Sequence, residues 1–95
     1  MPVRIVGIVN SISESGNLVT DITADQLAGA PRDERVLVRC NDHETNGIFQ
    51  VDHEQPAMTL IALIGESNCL EVEVVGDNAR IMLGVSTGQK VEVCW

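Results

Sequence analysis

Two Asp-His-Glu triplets offer the most recognisable chemistry in this chain, since imidazole and carboxylate groups are common ligands of divalent metals. The triplets are Asp42-His43-Glu44 and Asp52-His53-Glu54. A predicted strand, residues 47–51, lies between them and separates them by more than about 15 Å at roughly 3.3 Å per residue. We therefore predict that both triplets lie in solvated loops, with no metal site and no cofactor.

Covalent catalysis needs a nucleophile beside a base, and the sequence provides no such pair. The serines lie in predicted turns without a Gly-x-Ser-x-Gly elbow, and only two histidines are present as bases. The glycine-rich segment 84–88 lacks the Lys-Ser/Thr pair of a phosphate loop and follows a predicted helix instead of preceding one. We predict a helix C-cap and a turn there, and no catalytic residues in the chain.

Two small polar segments that border apolar strands are candidate ligand-binding turns. They are Gly16-Asn17 and Glu66-Ser67-Asn68. Amide side chains and turn amides present hydrogen-bond donors and acceptors side by side, as recognition of a purine edge requires. The candidate binding residues are therefore Asn17, Glu66, Ser67 and Asn68, and the alternative is that both segments are only turns.

The charge balance argues against a nucleic-acid or membrane partner. Six basic and fourteen acidic residues give a net charge of −8, and the basic residues are scattered. Binding to nucleic acid or to an anionic membrane requires a positive patch, which this sequence lacks. The longest apolar run, residues 60–64, is far shorter than the roughly 20 residues that a membrane span needs.

Cysteine usage and the N-terminus favour a cytoplasmic protein. The three cysteines are odd in number and widely spaced, with no Cys-x-x-Cys pair, so we expect buried reduced thiols. The chain begins with a strand-like pattern, and we expect no leader peptide. Residues 1–95 form one predicted domain, because no linker or repeat divides them.

Short β-branched and alternating segments predict a mainly β fold. Seven strands are expected, at residues 3–9, 17–22, 35–39, 47–51, 58–64, 70–74 and 90–93. Thr23 and Gln26 fit a capping box for a helix that Gly29 and Pro31 would end. Asp77 or Asn78 fits the N-cap of a second helix, ending at Gly84. The predicted fold class is a small closed or nearly closed antiparallel barrel of about seven strands with one or two short helices.

The alternation of apolar and polar residues also predicts which side chains face the core. We expect Glu71, Glu73 and Glu92 to lie outside in water as solubilising charges. The inward residues are Val36, Val38, Leu70, Val72, Val74, Val91 and Val93. Residues 58–64 are apolar on both faces, so the second face must meet a helix, a loop or another subunit, and we expect a homo-oligomer.

Two motifs resemble the C-terminal β-barrel domain of the S-adenosylmethionine hydroxide adenosyltransferases, the family that includes the chlorinase and the fluorinase. The first family pattern, Gly-x-Val-x-x-Ile-x-x-Phe-Gly-Asn-Leu-x-Thr-Asn-Ile, is matched without a gap by Gly7, Val9, Ile12, Gly16, Asn17, Leu18, Thr20 and Ile22. The second pattern is Asn-Ser-x-Gly-x-Leu-Glu-Ile-Ala, followed by a glycine-rich turn and a closing strand. Against it stand Ser67, Leu70, Glu71, Val72, Ala79, Leu83, Gly84, Gly88, Val91 and Val93.

This resemblance implies contacts to a purine, made by a domain whose catalytic partner domain has no counterpart in these residues. In the family, as the resemblance implies, one subunit's barrel covers the catalytic domain of its neighbour in a trimer. The sequence departs from the pattern at Ser15, where the family has an aromatic residue, and at the turn that Glu66-Ser67-Asn68 now forms. Asn17 is thus the candidate contact that matches by motif, and Glu66, Ser67 and Asn68 are candidates by position.

Together these features predict a non-catalytic binding module for an adenosine-like or S-adenosylmethionine-like ligand. One alternative is the non-catalytic subunit of a split S-adenosylmethionine hydrolase, completed by a separate catalytic subunit. Another is a β-barrel that binds only proteins and has lost the ligand.

Overall fold

The computed structural model describes residues 3–95, which form eight strands and one short helix. The strands are β1 (Arg4–Ile12), β2 (Leu18–Thr23), β3 (Leu37–Cys40), β4 (His43–Asn46), β5 (Phe49–Gln50), β6 (Leu60–Ile64), β7 (Cys69–Val74) and β8 (Lys90–Cys94), and the helix is α1 (Ala79–Leu83). All eight strands belong to one sheet with the order β4-β3-β8-β1-β2-β7-β6-β5. Neighbouring strands are antiparallel except β5 and β6, which are parallel.

The sheet curls into a nearly closed half-barrel, which confirms the predicted fold class. Strand β1 lies near the middle and joins the two halves, because its first part pairs with β8 and its second part pairs with β2. The curl brings β4, at one edge of the sheet, against β6 near the other edge. There the Thr45 hydroxyl donates a hydrogen bond of 2.9 Å to the carbonyl of Leu60.

The interior of the half-barrel is filled by aliphatic side chains, as the alternation predicted. Every residue expected in the core is at most 5% exposed: Val36, Val38, Leu70, Val72, Val74, Val91 and Val93. Leu18, Ile22 and Leu27 complete the core from β2 and the segment that follows it. Aliphatic residues from most of the strands meet in one buried cluster, and Trp95, which is half-buried, packs against it.

The first predicted helix is absent, although its capping box forms. The Thr23 amide donates to Gln26 Oε1 at 2.9 Å, and the Gln26 amide donates to Thr23 Oγ1 at 3.3 Å. The residues that follow make turns with bonds to the third preceding carbonyl, such as Leu27 to Ala24 at 3.1 Å. Gly29 and Pro31 follow too closely for a continuous helical ladder to develop. The second predicted helix is confirmed as α1, with Asn78 as N-cap and Gly84 as C-cap.

Three strand boundaries differ from the prediction: β4 was not predicted, β5 is shorter than predicted, and β1 is longer. His43 and Glu44 belong to β4 and not to a loop, because Asn41, with φ of 57°, allows a tight turn after β3. The predicted strand at 47–51 shortens to β5, since Gly47, with φ of 92°, interrupts its start. At the N-terminus, β1 continues to Ile12 through residues that we predicted to be a turn.

The second apolar face of β6 is covered within the chain. Ile61 and Leu63 point away from the main core cluster, yet they are only 1% and 4% exposed. Covering this face therefore does not require a second subunit, and the homo-oligomer stays a prediction.

Cysteine burial matches the prediction only for Cys40. Cys40 is buried, whereas Cys69 and Cys94 are half-buried, and all three thiols are free. Burial raises the pKa of the Cys40 thiol, which makes it less reactive. Among residues 3–95, no helix has the length and apolar character that crossing a membrane would require.

We predict that a buried valine contributes more to the free energy of unfolding than an exposed valine in the same sheet. Val72→Ala removes two methyl groups from the core at a position 2% exposed, and it should cost on the order of 1–3 kcal/mol. The matched control is Val6→Ala, at a strand position 50% exposed, which should cost about 0.5 kcal/mol or less. Chemical denaturation of both variants measures the difference, and equal costs would show that the strand register is misassigned.

The ion pairs of Glu92 on β8 should make the stability of the protein depend on pH. The Glu92 carboxylate lies 2.9 Å from Lys90 Nζ and 2.8 Å from a guanidinium nitrogen of Arg4, and it is only partly exposed rather than fully in water as predicted. Hydrogen bonds from Lys90 and then Arg4 hold the pKa of this carboxyl below its usual value. Because the pKa is lowered in the folded state, the stabilisation is present above the unfolded pKa and is lost as pH falls through the folded one.

We expect Glu92→Gln to lower the melting temperature slightly at pH 7, and this difference should disappear in acid, once the pH has fallen below the lowered pKa of Glu92. Glu14→Gln, in the exposed turn after β1, is the control and should melt like the parent at both pH values. A Glu92→Gln difference that grows in acid would contradict this assignment.

Candidate functional site

A cavity of about 400 Å³ lies on the outer face of the sheet, over β6 and β7. Register places Leu63 of β6 beside Glu71 of β7, and Glu73 of β7 lies two residues further along the same face. Two segments rise above this face and form the walls. One is the turn at 13–17 between β1 and β2, and the other is the crossover at 51–59 between β5 and β6.

Glu71 is the central polar group of this cavity. Its carboxylate accepts a hydrogen bond from Asn17 Nδ2 at 3.3 Å on one oxygen and from Ser67 Oγ at 3.2 Å on the other. The residue is only 8% exposed, so the prediction that it lies in water is wrong. Among residues 3–95, no ion pair joins it to a basic side chain. Alternation correctly indicated that Glu71 points out of the barrel, but it could not show that two turns fold over it.

Gly65, at the end of β6, leaves the space that the Glu71 carboxylate occupies. A Cβ atom built on Gly65 would overlap the carboxylate of Glu71. A side chain at position 65 would therefore displace the group that Asn17 and Ser67 contact. No sequence pattern could have identified Glu71, because the closeness of Gly65 to its carboxylate is a tertiary contact.

Asn17 is held by a turn that docks on the N-terminus of α1. Its backbone amide donates to Ser13 Oγ at 3.0 Å, and its backbone carbonyl accepts from the Ser13 backbone amide at 3.0 Å. Gly16 adopts a φ of 92°, and a Cβ there would overlap the side chain of Asn78, the N-cap residue. The Gly16 carbonyl accepts from the Arg80 amide at 3.0 Å. Helix α1 thus fixes the turn that presents Asn17.

The turn between β6 and β7 gives its candidate residues different positions. Ser67 reaches Glu71, and Glu66 lines the cavity. Asn68 adopts a left-handed φ of 62°, and its carbonyl accepts from the Ala24 amide at 2.9 Å. Thus Glu71 joins Asn17 to Ser67, and Glu66 lies at the same cavity. Asn68 is not among the described residues that line it.

His53 is a cavity residue that the sequence did not single out as such. We predicted a solvated triplet, and Asp52 and Glu54 are exposed, but the His53 side chain is only 11% exposed. Its Nε2 atom lies 3.7 Å from Glu73 Oε1, and its ring lies 6.3 Å from that of Phe49 between centroids. The parallel β5–β6 pairing turns the crossover back over β7, which no local pattern indicates.

The charge of the cavity defines which ligands it favours. Glu66, Glu71 and Glu73 bring three carboxyl groups to the cavity, and ionised carboxylates only accept hydrogen bonds. Such a surface favours amino groups, hydroxyl groups and cations, and it repels phosphates. Within residues 3–95, no three His, Cys, Asp or Glu side chains are arranged to hold a metal ion.

Comparisons with known proteins identify relatives of the whole fold. The family of SAM hydroxide adenosyltransferase C-terminal domains matches residues 9–92, which confirms the resemblance. An uncharacterized conserved protein from Thermotoga maritima has a similar structure, with a TM-score of 0.76 and 24% identity over 95% of this chain and 35% of its own. A conserved hypothetical protein from Thermus thermophilus has a TM-score of 0.72 and 26% identity over 93% of this chain and 34% of its own. This chain therefore spans about a third of either structure. No curated protein matches the sequence.

We predict that Gly65→Ala destabilises the protein through Glu71. The new methyl group displaces a nearly buried carboxylate from Asn17 and Ser67, which should cost about 1–3 kcal/mol. Gly29→Ala is the matched control, because a Cβ there meets nothing within 4 Å, and it should cost nothing.

Denaturation of the double variant tests the mechanism. Gly65→Ala should cost clearly less in a Glu71→Ala background, since the clash is then absent. Equal costs in both backgrounds would show that Gly65 matters for another reason, such as its backbone conformation.

Proposed function

The chain belongs to the family of SAM hydroxide adenosyltransferase C-terminal domains, and we propose that it is a non-catalytic binding module for the adenosine part of a ligand such as S-adenosylmethionine. The proposed site is the cavity around Glu71, with Asn17, Ser67 and Glu66 beside it. Asn68 contributes through the shape of the turn.

The observation that carries this proposal is the nearly buried Glu71 carboxylate whose protein partners are neutral donors. A buried carboxylate without a basic partner is costly unless further donors reach it. Each carboxylate oxygen has two lone pairs, and within residues 3–95 each accepts one hydrogen bond, from Asn17 or from Ser67. The exocyclic amino group of adenine is a donor of the required kind. The amide of Asn17 supplies both a donor and an acceptor to the neighbouring ring positions.

Charge narrows the ligand class further. Three carboxyl groups around one small cavity would repel the phosphates of AMP or ATP. Adenosine is neutral, and S-adenosylmethionine carries a positive sulfonium, so neither meets this barrier. Ser15, which is exposed at the cavity, stands where the family pattern has an aromatic residue. The loss of that stacking surface should weaken binding by about 1 kcal/mol relative to a domain with the aromatic residue.

A specific surface favours a second role as the non-catalytic subunit of a split S-adenosylmethionine hydrolase. Ile81 and Met82 on α1 are 71% and 47% exposed, and α1 is bonded to the turn that holds Asn17. An apolar surface beside the cavity suits a protein that would cover the other side of the ligand.

We expect adenosine to bind weakly, with a Kd around 1 mM or slightly tighter, about −4 to −6 kcal/mol. The reason is that only one side of the ligand is covered by this chain. In an NMR titration the amide signals of Asn17 and Ser67 should shift together, and Asn17→Ala should remove the shift at Ser67. Asn10→Ala, at an exposed position of β1, is the matched control and should bind like the parent.

AMP provides the test of charge. It should bind more weakly than adenosine, and the gap should narrow as salt screens the carboxylates. If saturating adenosine moves neither amide, the purine role is lost and a barrel that binds only proteins replaces it. Stronger binding of AMP would contradict the proposed role of the carboxylates.

A further inference from the structure

We infer that His53 contacts the bound base and donates a hydrogen bond from Nε2 to one of its ring nitrogens. This inference rests on the proposed adenosine site and adds a residue outside the two family motifs. It makes His53 the counterpart of the carboxylates, because they accept hydrogen bonds and His53 donates one.

The tautomer of His53 is set by the backbone. The Gln55 amide donates to His53 Nδ1 at 3.1 Å, so Nδ1 is the acceptor and the proton of the neutral ring is on Nε2. Among residues 3–95, the carboxylate recorded beside Nε2 is that of Glu73, with Oε1 at 3.7 Å. This distance exceeds that of a hydrogen bond, so the Nε2 donor is still available to a ligand.

The ring of His53 is also held in place before any ligand arrives. Its side chain is only 11% exposed, it lies near the Phe49 ring, and it lines the cavity together with Leu63 and Glu71. A preorganised donor loses little entropy on binding. The carboxylates beside His53 favour one class of base. A base with an amino group next to a ring acceptor can donate to a carboxylate and accept from His53 Nε2 at the same time.

The two charged residues next to His53 in the crossover are not placed to contact a ligand in the cavity. Asp52 and Glu54 are exposed, and neither lines the cavity. Glu73 is the carboxylate that faces the ring from β7. His53 is therefore the crossover residue that lines the cavity and carries a side-chain hydrogen-bond donor.

Binding of adenosine to His53→Phe tests the inference, because phenylalanine keeps a ring beside Phe49 and removes both nitrogens. Loss of one neutral hydrogen bond should weaken binding roughly threefold to tenfold. His53→Gln keeps an N–H near the position of Nε2 and should bind more tightly than His53→Phe. His43→Phe is the matched control, since His43 Nε2 lies 3.2 Å from the carbonyl of Leu83, and the cavity lining does not include it.

Deaza analogues of adenosine distinguish a contact from a structural effect. For either 1-deaza- or 7-deazaadenosine, the parent and His53→Phe should have the same Kd, because the acceptor next to the amino group that His53 contacts is missing. 3-Deazaadenosine should keep the difference between parent and variant, because N3 is not next to the amino group. If His53→Phe weakens all three analogues and adenosine by the same factor, His53 acts only through the structure and the inference is wrong. Unchanged adenosine binding by His53→Phe also overturns it, while the adenosine site stands. A parent chain that does not respond to adenosine overturns both.

Discussion

The Glu71 carboxylate organises the outer face of this domain. It lies nearly buried against β7, and its two oxygens accept from residues that are 54 positions and 4 positions away in the chain. A buried carboxylate requires donors, and these come from the turn at 13–17 and the turn at 65–68, which both close over it. A side chain at Gly65 would displace this carboxylate. The Glu71 side chain thus connects these two turns to strand β7.

The sheet provides the rigid base for that arrangement. Strand β7 pairs with β2 on one side and β6 on the other, and its inward residues are packed in the aliphatic core. The core occupies the inside of the half-barrel, so the cavity lies outside, where the crossover and the turn at 13–17 rise above the strands. Side chains on a packed strand hold their positions more accurately than side chains on loops. Glu71 and Glu73 are therefore the fixed part of the site, and Asn17, Ser67 and His53 are brought to them.

Helix α1 has a function in this arrangement that its length alone would not indicate. It has only five residues, yet its N-cap Asn78 packs against Gly16 and its Arg80 amide bonds the Gly16 carbonyl. These contacts fix the turn that carries Asn17. The same helix presents Ile81 and Met82 to solvent beside that turn. A partner that docked on this surface would lie next to the proposed ligand site.

The sequence by itself determined the elements whose cause is local. Period-two alternation identified the inward residues of β7 and β8, and capping chemistry located α1 between Asn78 and Gly84, because a strand's faces and a helix's ends depend on neighbouring residues. The capping box at Thr23 and Gln26 formed as well, but its helix did not, since propagation needs more residues than Gly29 and Pro31 allow. Tertiary structure alone decided that Glu71 is buried, that Gly65 makes room for it, and that His53 faces Glu73. These relations join residues far apart in the chain, and an outward-facing glutamate has the same local pattern whether water or two folded turns cover it.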